Sequence, residues 1–161
     1  MANKMQIKRG LKANLPTLGD GEFGLCTDTN ELYIGNASVN KQISTLTGTE
    51  TLTNKSITQR VGTITSGTPA PNADTQDVYT VTALATGVTV SAPTGTPTEY
   101  QSLMLRFKDN GTARSIGWNA IYRAIGVTLP TTTVVGKTLY VGCRYNSADS
   151  KWDVLAVGQE A

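Results

Sequence analysis

Histidine is absent from this 161-residue chain. That absence removes the Ser-His-Asp and Cys-His nucleophilic engines, the H-E-x-x-H metal site and the imidazole pH switch. Cysteine is scarce: Cys26 and Cys143 lie far apart and in no C-x-x-C pair, which excludes a cysteine-rich zinc site and a disulfide scaffold. Each falls in an alternating apolar run and reads as a small reduced side chain of a β core, although spacing alone leaves one long-range bridge open. Charged residues make up only 16% of the chain, well below the usual quarter. The balance of 14 basic against 12 acidic groups, a net charge of +2, is too weak for a long-range nucleic-acid field. No apolar run approaches the ~18 residues of a membrane span, and the polar stretch 1–9 has no apolar signal-peptide region. The expectation is a soluble protein made in a reducing compartment, with no membrane insertion.

What the chain has in quantity is threonine, about a sixth of all residues. Threonine is a poor interior helix residue and a good strand residue, so an all-β fold is expected. Long amphipathic helical patterns are missing. The texture divides the chain into residues 1–44, 45–60 and 61–161.

In the first part, Met5 and Ile7 alternate with Gln6 and Lys8 as a short strand. Pro16, Gly19 and Gly21 break regular structure. A compact hairpin follows, with Phe23, Leu25 and Thr27 on one strand, Asp28-Thr29-Asn30 as the turn and Leu32-Tyr33-Ile34 returning. A polar loop is expected over 36–42, ending at Ile43. A module of about 40 residues with so few large apolar groups rarely holds together without disulfides, metals or partner chains. With cysteine and histidine so scarce, self-association is the remaining stabiliser, and Ile7, Leu25, Leu32 and Ile34 are the expected subunit contacts. Between 45 and 60, threonine is dense and Leu46, Leu52 and Ile57 are widely spaced. This reads either as a disordered linker or as an extended stem whose three apolar residues meet sister chains.

The third part is β-patterned throughout. Residues 77–84, Val88 and Val90, and 103–108 read as strands, with Asp109-Asn110-Gly111 as a hairpin turn into Ile116 and Trp118. Residues 139–145 and 152–156 pair across the turn at 146–150. Residues 121–125 form a short helical turn or an irregular edge. The expected fold is an antiparallel β-sandwich or jelly-roll-like domain.

Chemistry is sparse. Gly19-Asp20-Gly21-Glu22-Phe23-Gly24 spells G-x-G-x-x-G, but a strand rather than a helix follows it, and Asp20 and Glu22 would repel phosphate; a glycine-rich turn explains it better. Asp74, Asp77, Asp109, Asp149 and Asp153 flank turns and strand ends without the convergence of a general acid/base pair. Lys4, Lys8, Arg9 and Lys12 form a basic cluster without interleaved aromatics, which fits a solvated or docking face better than nucleic acid. Trp118, Trp152, Tyr140 and Tyr145 read as core or cross-strand partners. Catalytic residues, cofactors and metal ligands are therefore not expected, and neither is an enzyme.

Four stretches share a pattern: Gln6-Ile7-Lys8-Arg9-Gly10, Ala13-Asn14-Leu15-Pro16, Gly21-Glu22-Phe23-Gly24 and Thr27-Asp28-Thr29-Asn30-Glu31-Leu32-Tyr33-Ile34-Gly35. Together they resemble the N-terminal module of bacteriophage tail fibres, spikes and head fibres, with Lys8 in place of one arginine and Asn36-Ala37 where Asp-Gly is common. Residues 46–55, 107–114, 118–120 and 145–153 are similar to stem and terminal segments of such proteins. The resemblance implies a small trimeric β-prism at the front of the chain, and hence a homotrimer carried on the virion and assembled in the host cytoplasm. It also implies other virion proteins of the capsid, tail or baseplate as partners. The short length favours a small fibre or capsid decoration. The alternative is a tail-fibre or baseplate receptor-binding protein that contacts a host surface glycan, and a glycan-binding enzyme domain is the third reading.

Overall fold

The computed structural model describes residues 7–43, 54 and 56–161. The chain is all β: among the described residues the single helical element is a 3-10 turn at Lys12–Asn14. It divides into two compact units, Met1–Ser56 and Ile57–Ala161.

The front unit is one sheet of β1 (Lys8–Gly10), β2 (Phe23–Cys26), β3 (Glu31–Asn36) and β4 (Val39–Ile43), in that spatial order. β1 runs parallel to β2, and the other pairs are antiparallel. The expected hairpin is present, and Asn30 turns it with φ +56°. The loop expected over 36–42 is instead a tight turn and a strand. Ala37 and Ser38 both take positive φ, at 51° and 62°, the geometry that closes a two-residue hairpin. One polar residue of β4, Asn40, faces the neighbouring loop and holds it. Asn40 accepts from the Leu18 amide at 2.9 Å and donates to the Pro16 carbonyl at 2.9 Å. The first strand also begins later than expected, at Lys8, and Met5 lies outside the described residues.

One face of this sheet is covered by the 15–19 loop, with Leu18 and Cys26 buried. Two glycines make the approach possible. A Cβ on Gly24 would lie 2.8 Å from a Leu15 methyl, and one on Gly35 would lie 2.6 Å from the Leu18 carbonyl oxygen and closer still to that of Gly19. The G-x-G-x-x-G letters are thus accounted for by packing: Gly21 turns with φ +78°, Gly24 lies under the loop, and the segment enters β2 rather than a helix.

The second unit is built on a six-stranded sheet. Its strands are β5 (Val61–Ile64), β6 (Val78–Leu84), β8 (Ser102–Asp109), β10 (Tyr122–Ala124), β11 (Thr138–Asn146) and β12 (Lys151–Gln159). The spatial order is β10-β12-β11-β8-β6-β5. A two-stranded ribbon of β7 (Val88–Val90) and β9 (Ile116–Trp118) packs on it. Val90 and Ile116 from the ribbon join Val81, Leu105, Phe107, Val141, Trp152 and Val154 from the sheet in one core. Trp118 meets Phe107 and Tyr122 edge-on, with centroids at 6.0 and 5.3 Å, and its indole N–H donates to the Pro130 carbonyl at 2.7 Å. Layered packing is as expected, but the strand directions are mixed rather than antiparallel. β5–β6, β6–β8, β7–β9 and β10–β12 are parallel, while only β8–β11 and β11–β12 are antiparallel.

The hairpin expected at Asp109-Asn110-Gly111 does not form. The turn is real, with Gly111 at φ +93°, but β9 pairs with β7 and not with β8. The cause is the Asp109 carboxylate, which is buried and accepts from the Gly111 amide (3.0 Å), the Thr133 hydroxyl (2.8 Å) and the Gly136 amide (3.0 Å). These bonds tie the end of β8 to the 131–136 loop, and the chain is diverted across the core. The β11–β12 hairpin does form, with Tyr145 against Trp152, and residues 122–124 are an edge strand.

Candidate functional site

Strand alternation and register decide what the front unit shows to its surroundings. Phe23 pairs with Ile34, Leu25 with Leu32, and Leu32 with Ile43, so these side chains share the face opposite the 15–19 loop. Val39 and Lys41 extend it along β4, and Arg9, the register partner of Leu25, with Ile7 two residues before it, extends it along β1. Phe23, Leu25, Leu32 and Ile34 are half-buried, Ile7 is 44% exposed and Val39 50%. Among the described residues nothing covers this face. An apolar sheet face of this kind marks an interaction surface.

Four of the expected contacts, Ile7, Leu25, Leu32 and Ile34, are therefore brought together on one surface. Phe23, Val39 and Ile43 belong to it too, and the last two were obscured because 36–42 reads as a polar loop. Leu46 and Leu52 lie outside the described residues. Ile57 belongs to the second unit and is 80% exposed.

Several titratable groups hold the fold together. Asp77 is held by a two-pronged pair with Arg60 (Nε–Oδ2 3.0 Å, Nη2–Oδ1 2.6 Å) and accepts from the Arg60 amide at 3.0 Å. These bonds hold its carboxyl at about 2. Arg60, placed by sequence at the end of the stem, is thereby bound to the second unit. Arg123 bridges Asp153 and Asp149, both at 2.7 Å. Burial pushes the Asp109 carboxyl up, but its Gly136, Thr133 and Gly111 donors outweigh that and hold it below the usual carboxylate range. In the basic cluster, Lys8 pairs with Glu22 at 2.7 Å and Lys12 with Glu31 at 2.8 Å, and Lys4 is outside the described residues. Both cysteines are buried free thiols, and burial pushes Cys143 up to about 12. The aromatics sort as expected, Trp118, Trp152 and Tyr145 against the core and Tyr140 as the cross-strand partner of Arg106. Tyr140 sits on the outer sheet face, with the Arg106 guanidinium 5.2 Å from its ring.

Three of the four strands that build the apolar face, β1 to β3, fall within a known module. Residues 5–36 match the family model of the major tropism determinant N-terminal domain, which points to the tropism and tail-fibre proteins of bacteriophages and so to a virion-associated protein. The match spans the front unit from before β1 to the end of β3. No curated protein matches the chain.

Proposed function

We propose that this chain is a non-enzymatic, homotrimeric attachment protein of a bacteriophage virion. Its front unit assembles three copies and fixes them to the particle, and its second unit is displayed outward. The observation that carries the reading is the apolar face of the front sheet, uncovered among the described residues, three of whose four strands lie within the segment that matches the tropism-determinant module. Among the described residues, Leu18 and Cys26 are the buried apolar side chains of the front unit. Three such units pooling Phe23, Leu25, Leu32, Ile34 and their neighbours would acquire one adequate core. Each large apolar side chain fully buried contributes ~1.5–3 kcal/mol, so a shared face of this size offsets the entropy of association. Trimeric display also multiplies weak contacts to a host surface.

The tropism match favours attachment to the host over capsid decoration. The partners are other virion proteins at the front unit and a host surface component, such as a glycan, at the displayed unit. Electron microscopy of intact particles labelled for this chain tests the placement. Label on the tail or its fibres supports attachment; label on the shell alone makes the protein a decoration and overturns the reading.

A further inference from the structure

Tyr100 is an outlier in two ways. Its backbone takes φ +59°, the left-handed region that a bulky side chain rarely enters, and its ring is 71% exposed. The local cause is a tight turn. The Gln101 amide donates to the Thr98 carbonyl at 3.0 Å, which makes Tyr100 the third residue of a four-residue turn, a place that suits glycine or asparagine. The conformation is gripped on both sides. The Tyr100 amide donates to the Tyr145 carbonyl at 3.0 Å, and the Tyr100 carbonyl accepts from Arg144 Nη1 at 2.9 Å. A tyrosine here costs the fold backbone strain and leaves a large ring in water. Glycine makes the same backbone bonds without that strain. The use of the ring therefore lies outside the chain.

The surface beside Tyr100 is shaped to receive a ligand. Arg144 Nη1 also donates to the Ser102 hydroxyl, and both residues line a shallow depression of about 300 Å³ in the second unit. Met104, Gly142 and Leu155 form its apolar part, and Gln59, Ser102 and Arg144 its polar part. We infer that Tyr100 and this depression bind a saccharide of the host surface. The inference rests on the attachment reading above and gives that contact a place and a chemistry. The exposed ring and the apolar floor suit the C–H faces of a sugar ring, while the guanidinium, hydroxyl and amide at the edge supply donors and acceptors for its hydroxyls. A protein partner fits less well. Such an interface needs ~800 Å² on each side with few charges at its centre. Here Arg144, Asp153 and Arg106 lie in the rows on either side of Met104 and Gly142.

One ring beside one shallow hollow makes a weak site. Three copies joined through their front units carry three such sites, and linked sites exceed the affinity of a single one by ~10²–10⁴. A substitution that spoils the site spoils it in every copy, so its effect on binding to a cell surface is multiplied in the same way.

The test uses the fluorescently labelled full chain and cells of the bacterium that the phage infects, with binding read by flow cytometry. Tyr100→Gly removes the ring and keeps the turn. Gly142→Arg fills the depression, and its Cβ meets Met104 and Ala156 only at an ordinary 3.6 Å. Each is expected to raise the half-saturating concentration at least tenfold, while Thr112→Asp, on an exposed turn, leaves it unchanged. Tyr100→Gly is also expected to hold or raise the melting temperature followed by the fluorescence of Trp118 and Trp152. A lower one would make the ring a structural part and overturn the inference. Treating the cells with periodate, which cleaves the vicinal diols of sugars, is expected to abolish binding, and proteinase K to leave it intact. The reverse pattern makes the partner a protein and overturns the saccharide assignment. Unchanged binding by either variant overturns the site and leaves the proposed attachment standing. No binding by the unsubstituted chain overturns both.

Discussion

Leu25 lies in the middle of the front unit's apolar face, between Arg9 of β1 and Leu32 of β3, and is the most informative position to perturb. In one chain it is half-buried, so about half of a leucine's transfer free energy, ~1 kcal/mol, remains to be gained from sister chains. Leu25→Ala forfeits that in each of three copies, ~3 kcal/mol per trimer, or about two orders of magnitude in the association constant. Leu25→Asp is far more severe. It places three carboxylates on a shared apolar surface without partners, each costing several kcal/mol, and trimers should vanish at micromolar concentration. Light scattering reads this directly, because one chain is 17.1 kDa and three weigh about 51 kDa. Thr112→Asp, which adds the same charge to an exposed turn of the second unit, should leave the mass unchanged. The reasoning is refuted if Leu25→Asp keeps trimeric mass. It is equally refuted if the unsubstituted chain is monomeric while amide exchange shows β2 and β3 protected.

Other perturbations follow from individual contacts. Gly35→Ala drives a Cβ into the backbone carbonyls of Leu18 and Gly19 and should destabilise the front unit by ~3 kcal/mol or more. Gly24→Ala meets only the movable ends of Leu15 and Leu18 and should cost about 1 kcal/mol, the two being compared by amide exchange in β2 and β3. Asp109→Ala leaves the Thr133 hydroxyl and two amides without their acceptor, so a loss of ~2–4 kcal/mol is expected in urea melts followed by tryptophan fluorescence, with Asp109→Asn milder. The Asp77 carboxyl is held at about 2 against an ordinary 3.8, so its contribution is complete above pH 4 and is lost as pH falls through 2. Solvent screening limits it to about 1 kcal/mol, and Arg60→Ala should flatten that part of the stability profile measured from pH 5 to 2. Both buried thiols should resist a disulfide reagent at pH 8 and react once the chain is denatured.

Local chemistry carried the expectations that held. Asp28-Thr29-Asn30 between apolar runs encodes the β2–β3 hairpin, and 146–150 encodes the β11–β12 hairpin, because each joins neighbours in sequence through a turn whose residues set its geometry. Alternation told which side chains of a strand share a face, and so Leu25, Leu32 and Ile34 could be grouped in advance. It could not add Val39 and Ile43, because the polar side of β4 is occupied holding the Pro16 and Leu18 backbone, a bond invisible along the chain.

The amino-acid sequence by itself determined the class of the protein. Threonine-rich alternation makes it β, and the missing histidine leaves it no imidazole. The tertiary structure alone decided which strands are neighbours. β6 lies parallel between β5 and β8, and the buried Asp109 sends the chain away from a hairpin that its own turn residues favour. The physical reason is that a two-residue period specifies inside and outside but not the identity of the adjoining strand. That choice belongs to long-range packing and to buried hydrogen bonds, and it sets the order β10-β12-β11-β8-β6-β5 of the second unit's sheet.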